Sequence, residues 1–117
     1  MELGTQAMGE SPEPALVEAR NRLWVKFLPQ MEERVASLEM AAADFASGSL
    51  SADGQQEASA NAHKLAGVLG TFGLHIGTEL AREAEVAYQG DLPSHPAAAA
   101  RLAEIAVQLR ALLAGRR

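Results

Sequence analysis

Helical periodicity is the sequence feature that most constrains the fold of this chain. Apolar residues recur every three to four positions in four stretches, and the stretches are separated by turns that contain glycine or proline. Alanine makes up about a fifth of the 117 residues, whereas residues that favour strands are sparse. We find no strand-like alternation and no internal repeat. The pattern predicts an all-α protein whose helices pack closely on small side chains.

The four stretches predict an antiparallel up-and-down four-helix bundle. The predicted helices cover about residues 15–47, 51–72, 75–89 and 94–114. Because Pro29 falls inside the first stretch, we expect a kink there or a short extra N-terminal helix before the bundle. Residues 1–13 mix Gly, Ser, Glu and Pro, so we expect them to form a flexible tail. The helical bundle is expected to occupy residues 14–117.

Capping residues and apolar stripes refine this prediction. Ser51 is of the type preferred as an N-cap for the second helix, and Gly73 is expected to form its C-terminal cap. The predicted buried stripes are Leu16, Leu23, Trp24, Phe27, Met31, Val35, Leu38, Ala42 and Phe45 on the first helix; Ala58, Ala62, Leu65, Leu69 and Phe72 on the second; Ile76, Leu80, Ala84 and Ala87 on the third; and Leu102, Ile105, Leu109, Leu112 and Leu113 on the fourth.

The composition argues against several classes of protein. There is no cysteine, which excludes disulfides, a thiol nucleophile and a Cys-based zinc site. A net charge of −5 and a pI near 5.1 argue against nucleic-acid binding. No apolar run approaches the roughly 20 residues that span a bilayer, and the N-terminus lacks signal-peptide features. We expect a cytoplasmic protein that binds neither nucleic acid nor membrane, and a monomer rather than an oligomer.

One histidine of the second helix is predicted to face solvent. At about 100° per residue, the apolar stripe of this helix lies on one side, and His63 points about 140° away from its centre. Gly67 and Gly70 follow on the same outward face, while Ser59 and Ala60 flank the ring on the other side. The sequence therefore predicts an exposed imidazole in a strip of residues that have almost no side chains.

Stability does not account for the glycines of this strip. Each glycine in an exposed helix interior destabilises the fold by about 0.5–1 kcal/mol relative to alanine. One explanation is that the bare backbone allows another protein to approach the ring. The alternative is that the glycines allow a neighbouring helix of the same chain to pack closely, although the helical wheel places them away from the core stripe.

The surroundings of His63 narrow its possible chemistry. The positions three and four residues away are Ser59, Ala60, Ala66 and Gly67, none of which is a usual metal ligand. The local sequence has no signature of a hydrolytic triad. The remaining interpretation is that the imidazole itself acts as a nucleophile and accepts a group delivered by a partner protein.

The residues around His63 resemble the motif of the histidine phosphotransfer (HPt) domain family. In that motif the histidine is followed by a leucine after two positions, by a glycine after four and by a second glycine after ten. Leu65, Gly67 and Gly73 occupy these positions here. The family often continues into a helix that ends in an acidic residue, and Glu85 falls in that phase.

The resemblance extends over about residues 22–113. Leu80 also falls in the phase of the family's following helix. An upstream segment is similar to the family through Phe27, Leu28, Arg34, Val35 and Leu38.

This resemblance implies a His–Asp phosphorelay on a four-helix bundle. A receiver domain that bears a phosphoaspartate would dock over His63 and pass its phosphoryl group to the ring, and the reverse transfer would also occur. The expected attacking atom is Nε2, which must be unprotonated. The implied partners are a response-regulator receiver domain, a hybrid sensor histidine kinase, or both. No cofactor is expected in this chain, because Mg²⁺ would belong to the receiver.

The implied protein is a phosphocarrier and not an enzyme, since no nucleotide-binding Gly-rich loop or Walker-type lysine is present. Ala66 stands where the family commonly has a lysine. Lys64 points about 100° away from His63, so it would have to reach back, or a basic residue of another helix would have to substitute. The predicted docking and support residues around His63 are Ser59, Ala60, Lys64, Ala66, Gly67 and Gly70.

Two other functions stay open at this point. The bundle could be an adaptor that docks a receiver or kinase domain without being phosphorylated. It could also be an enzyme or ligand-binding bundle unrelated to relays, which would require a buried polar pocket that the helix stripes do not suggest.

Overall fold

Four helices form the folded part of the chain, as the periodicity predicts. The computed structural model describes residues 12–92 and 96–116, and the helices are α1 (Pro12–Ala46), α2 (Ala52–Thr71), α3 (His75–Gln89) and α4 (Pro96–Arg116). Helices α1 and α3 each pack against both α2 and α4, so the four helices form a ring. The described residues contain no strand. The predicted all-α four-helix bundle is confirmed.

Helix α1 passes through Pro29 without a break. A proline removes the N–H that would bond the carbonyl four residues earlier, which is that of Val25. Both residues lie at the surface, so water can reach the freed carbonyl. The expected N-terminal helix is therefore the first part of one long α1. This helix begins at Pro12, inside the predicted tail, and residues 1–11 lie outside the described part of the chain.

The first turns of α1 extend beyond the bundle. Arg116, at the end of α4, lies 4.9 Å over the ring of Trp24, and Trp24 is the first buried residue of α1. Arg116 also donates to Asn21 Oδ1 at 3.3 Å, and the described part of α4 ends at this residue. The prediction that Leu16 and Leu23 are buried is therefore wrong, because they are 62% and 43% exposed.

The ends of α2 match the predicted caps. Ser51 Oγ accepts a hydrogen bond of 2.9 Å from a backbone N–H in the first turn of α2. At the other end Gly73 has φ +72°, a left-handed conformation that favours glycine. The Gly73 N–H donates to the Gly70 carbonyl and the Leu74 N–H to the Leu69 carbonyl, both at 3.0 Å. This paired closure reverses the chain, so α3 begins at once beside α2.

Close packing of α3 on α2 depends on Gly77. A Cβ at this position would lie 3.0 Å from Leu69 Cδ1 and 3.3 Å from Leu112 Cδ1. The glycine, and not its neighbour Ile76, faces the core at this level. The prediction that Ile76 is buried is therefore wrong, because this side chain is 66% exposed.

The core runs along the axis of the bundle. Its largest fully buried side chains are Met31, Val35, Leu65, Leu69, Ile105, Leu109 and Leu113. Near one end, the rings of Trp24 and Phe72 make an edge-to-face contact with centroids 5.1 Å apart. Among the described helices, none has the length and apolar character to cross a membrane.

Candidate functional site

His63 stands exposed near the middle of α2. Its side chain is 69% exposed, whereas Ala62 and Leu65 on the opposite side are fully buried. The helical wheel predicts this orientation. The imidazole is therefore open to another molecule, while its own helix is held by the core.

Gly67 and Gly70 continue the exposed strip along α2. A Cβ at Gly67 would meet nothing within 4 Å, and one at Gly70 would lie 3.6 Å from Thr78 Oγ1, an ordinary contact. Neither glycine is required for a neighbouring helix to approach. The structure therefore favours the explanation that the bare backbone faces outward.

The other side of His63 borders an open groove. The groove has a volume of about 730 Å³ and runs between α2 and the end of α3. Its lining includes the predicted support residues Ser59, Ala60 and Lys64, together with Gln55, Gln56, Tyr88 and Gln89. Ala60 and Lys64 are exposed, and Ser59 is half-buried.

Ala66 does not belong to the exposed face. It is 2% exposed, and its carbonyl accepts a hydrogen bond of 3.3 Å from Thr78 Oγ1 of α3. Its position lies about 80° from the centre of the core stripe, on the flank that α3 covers. The prediction that Ala66 is an exposed docking residue is therefore corrected.

Glu85 of α3 is the hydrogen-bond partner of the His63 ring. His63 Nδ1 lies 2.8 Å from Glu85 Oε2. A carboxylate can only accept, so Nδ1 carries the proton and donates it. In the neutral ring this leaves a lone pair on Nε2, the nitrogen that makes no contact with Glu85. The arrangement thus holds the imidazole in the tautomer that a nucleophile requires.

Glu85 is itself held in place. Its side chain is only 14% exposed, in contrast to the ring it bonds. Gln89 Nε2 donates to the same carboxylate oxygen at 3.4 Å, and Ser59 Oγ donates to the Glu85 carbonyl at 3.4 Å. The first bond lies within α3 and holds the carboxylate, and the second joins α2 to α3 beside the histidine.

A glutamine at the start of α2 fixes the end of α3. Gln55 Nε2 donates to the carbonyls of Tyr88, at 2.9 Å, and Gly90, at 2.8 Å. Burial raises the pKa of Tyr88 to about 12, so this phenol stays protonated at neutral pH. The wall of the groove next to the dyad is therefore structural.

The role of Glu85 is not evident from the sequence around His63. The two residues are 22 positions apart and meet because α2 and α3 are antiparallel. The turn at Gly73 does carry a signal, because residues at similar distances before and after a tight turn face each other. His63 lies ten residues before Gly73 and Glu85 twelve residues after it.

Metal chemistry has no support in the site. Within residues 12–92 and 96–116, no group of three His, Asp or Glu side chains is placed to hold an ion. The histidine–carboxylate dyad is instead suited to nucleophilic attack by Nε2.

The comparison with protein families agrees with this geometry. The family model of the Hpt domain matches residues 22–115, a range that includes both His63 and Glu85. The chain belongs to the Hpt domain family. Searches of curated proteins and of solved structures found no match. Hpt domains are helical phosphocarrier modules of phosphorelays and interact with receiver domains and kinases of two-component systems.

Proposed function

We propose that this protein accepts a phosphoryl group on Nε2 of His63 from the phosphoaspartate of a receiver domain and passes it on in a His–Asp phosphorelay. The observation that carries the proposal is the hydrogen bond between His63 Nδ1 and Glu85. In the neutral ring this bond keeps the proton on Nδ1 and leaves the lone pair on Nε2, and the side chain is 69% exposed. A buried or doubly protonated imidazole could not attack a phosphoryl group brought by another protein.

The transfer exchanges one bond to phosphorus for another. The lone pair of Nε2 forms the N–P bond while the P–O bond to the aspartyl carboxylate of the receiver breaks. The electron pair of that bond stays on the leaving carboxylate. The Nδ1 proton remains in its hydrogen bond with Glu85, so no proton has to leave the ring.

Glu85 stabilises the charge that develops in this step. When Nε2 bonds to phosphorus with Nδ1 still protonated, the ring becomes positively charged. A carboxylate 2.8 Å from Nδ1 opposes that charge from a fixed position. The same carboxylate remains to favour the phosphorylated ring until the next receiver takes the group.

The exposed strip is the proposed docking face. Gly67 and Gly70 allow the receiver to approach the ring on one side, and the groove with Ser59, Ala60 and Lys64 receives it on the other. The chain supplies no nucleotide-binding loop, so the proposed phosphoryl source is a receiver or a hybrid kinase. The Mg²⁺ for the transfer is proposed to come with the receiver.

A transfer assay tests the proposal. The protein is incubated with receiver domains that have been phosphorylated by a small phosphodonor in the presence of Mg²⁺. We expect an acid-labile, base-stable label that His63→Gln abolishes. His75→Gln is the matched control, because His75 is exposed at the start of α3 and should leave the label unchanged.

Two results would reject the proposal. A label that survives His63→Gln would place the phosphoryl group elsewhere. Receivers that bind the protein but never label it would favour a non-phosphorylated adaptor.

A further inference from the structure

Arg82 is an unpaired cation on α3, close to the candidate site. Its side chain is exposed, and it makes no hydrogen bond or ion pair within the described part of the chain. Several other arginines donate to acidic or amide side chains, namely Arg34, Arg101, Arg110 and Arg116. The guanidinium of Arg82 is therefore available to bind an anion.

Arg82 lies near the face of α3 that packs against α2. Two residues of α3, one before Arg82 and one after it, make hydrogen bonds to α2. Thr78, four residues earlier, donates to the carbonyl of Ala66. Glu85, three residues later, accepts from His63. At 100° per residue, both contacts lie within about 60° of Arg82 around the helix. Arg82 thus stands between two points at which α3 is bonded to α2.

The exposed face of α2 beside His63 is open. Gly67 lies one turn after His63, and a Cβ there would meet nothing within 4 Å. Along the axis of α3, Arg82 is only about 4.5 Å from Glu85. An extended arginine side chain spans more than this distance. Extended toward α2, the guanidinium would approach a group that projects from the ring.

A phosphoryl group on His63 needs a positive partner. Its charge lies on three oxygens, and Glu85 adds a further negative charge beside the ring. Ala66 is buried and uncharged. Lys64 lines the groove beside His63, but the helical wheel places it about 160° around α2 from Ala66, the residue that bonds to α3. On the α3 side, the chain offers Arg82.

We propose that Arg82 binds the oxygens of the phosphoryl group on Nε2 of His63, an inference that rests on the proposed function. A guanidinium is planar and can donate two parallel hydrogen bonds to such oxygens. During transfer, the N–P bond forms while the P–O bond to the receiver's aspartate breaks. Arg82 holds phosphoryl oxygens that take part in neither bond. In this protein the cation at the phosphoryl group therefore belongs to α3 and not to α2.

The first experiment needs no partner protein. Phosphoramidate, a small phosphoryl donor, is used to phosphorylate His63 directly, and the phosphorus NMR signal is followed as a function of pH. A nearby cation favours the dianionic phosphoryl group. We therefore expect Arg82→Gln to move its titration to higher pH and Arg82→Lys to restore part of the difference. Arg20→Gln, the same charge change on the part of α1 that extends beyond the bundle, should have no effect.

The second experiment measures transfer from a phosphorylated receiver. We expect Arg82→Gln to slow the transfer about tenfold, the effect of losing one hydrogen bond to a charged group, and Arg82→Lys to recover part of the rate. Arg20→Gln again serves as the control. Circular dichroism should show the same helical content in all variants, since both arginines are exposed.

The outcomes separate this inference from the proposed function. If the phosphorus titration is unchanged in Arg82→Gln, the inference is overturned, even if transfer from the receiver is normal. It is also overturned if Lys64→Gln, and not Arg82→Gln, shifts the titration. A titration that does respond to Arg82, in a protein that no receiver phosphorylates, would support the contact and reject the relay. Failure of phosphoramidate to label His63 would overturn both.

Discussion

The two nitrogens of His63 have different surroundings, and this difference determines the chemistry of the site. Nδ1 is bonded to Glu85, while the ring as a whole is largely open to water. The carboxylate does two things at once: it selects the tautomer and it carries a negative charge. Substitutions can separate these two effects.

Glu85→Gln should retain the tautomer of His63 and remove the negative charge beside the ring. The amide oxygen of glutamine still accepts from Nδ1, but it cannot balance the charge of a phosphorylated ring. We expect transfer to slow about 10- to 100-fold, the range for a hydrogen bond to a charged group. Rates are measured with a phosphorylated receiver, and nitrogen NMR of the ring reports the tautomer. Glu79→Gln, an exposed acid on the same helix, is the control; equal rates in the two variants would contradict this role.

Gly67→Leu should block docking without harming the fold. Nothing stands within 4 Å of the new Cβ, and leucine favours a helix by about 0.5–1 kcal/mol over glycine. We expect an unchanged or higher melting temperature and a receiver Kd weakened at least about tenfold, because a bulky side chain stands beside the ring. Gly115→Leu is the matched control, since its Cβ also meets nothing. Wild-type affinity in Gly67→Leu would show that the strip is not the docking face.

For single residues, the sequence predicts which side chains are exposed better than it predicts which residues they bond. Helical spacing within α2 is sufficient to place His63 and Gly67 on the outer face. It is not sufficient for Ala66, whose burial depends on where α3 packs. The bond from Glu85 depends on the register between two helices, which a helical wheel drawn for α2 alone does not contain.

The register between α2 and α3 begins at their turn. Gly73 has φ +72°, and the two hydrogen bonds around it close α2 and reverse the chain. From there, Thr78 and then Glu85 come into contact with α2 at successive turns. The position of Glu85 beside His63 therefore depends on the backbone conformation at Gly73.

Gly73→Ala should destabilise the protein by about 1–2 kcal/mol, because an L-residue is strained in the left-handed conformation. Gly67→Ala, also in the α2 region but in an ordinary helical conformation, should instead stabilise it by about 0.5–1 kcal/mol. Urea unfolding followed by circular dichroism measures both. A Gly73→Ala variant as stable as the wild type would argue against a conformational role for this glycine.

Helix limits were predictable where local chemistry sets them. Ser51 and Gly73 act on the backbone beside them, and the structure confirms both as caps. Pro29 was compatible with a kink or with a separate N-terminal helix. Which of these occurs depends on whether water can reach the carbonyl that the proline leaves without a donor, and the sequence does not show this. Leu16 and Ile76 have the correct spacing but no helix covers them, and only the tertiary structure contains that information.

In the described part of the chain, arginines of α4 form ion pairs with α1 and with α3. Arg110 of α4 bonds Glu39 of α1 with both partners about 40% exposed, and Arg101 of α4 bonds Glu83 of α3. In each pair the guanidinium holds the pKa of the carboxyl below its ordinary value of 4.5. Exposed pairs of this kind contribute little, so they adjust the stability that the core provides.

The contribution of these ion pairs to the free energy of unfolding should depend on pH. A lowered pKa in the folded state means that the stabilisation is complete above pH 4.5 and is lost as the pH falls through the lowered value. We expect Glu39→Gln to reduce the free energy of unfolding at pH 7 by about 0.2–1 kcal/mol and to reduce the difference between pH 7 and pH 3. Urea denaturation at both pH values is the measurement. Glu33→Gln, at an exposed acid of α1, should change neither, and an equal effect in the two variants would contradict the assignment.

On the proposed docking face, the two sides of His63 present different groups to a partner. At Gly67 and Gly70, α2 itself presents only main chain, which carries no side-chain pattern for a partner to match. Toward the groove it presents the polar side chains of Gln56 and Lys64. Receivers of different sequence could therefore share the bare half, and discrimination among them would have to come from the polar half. Exchanging partners should thus require changes on one side of the histidine and leave the other untouched.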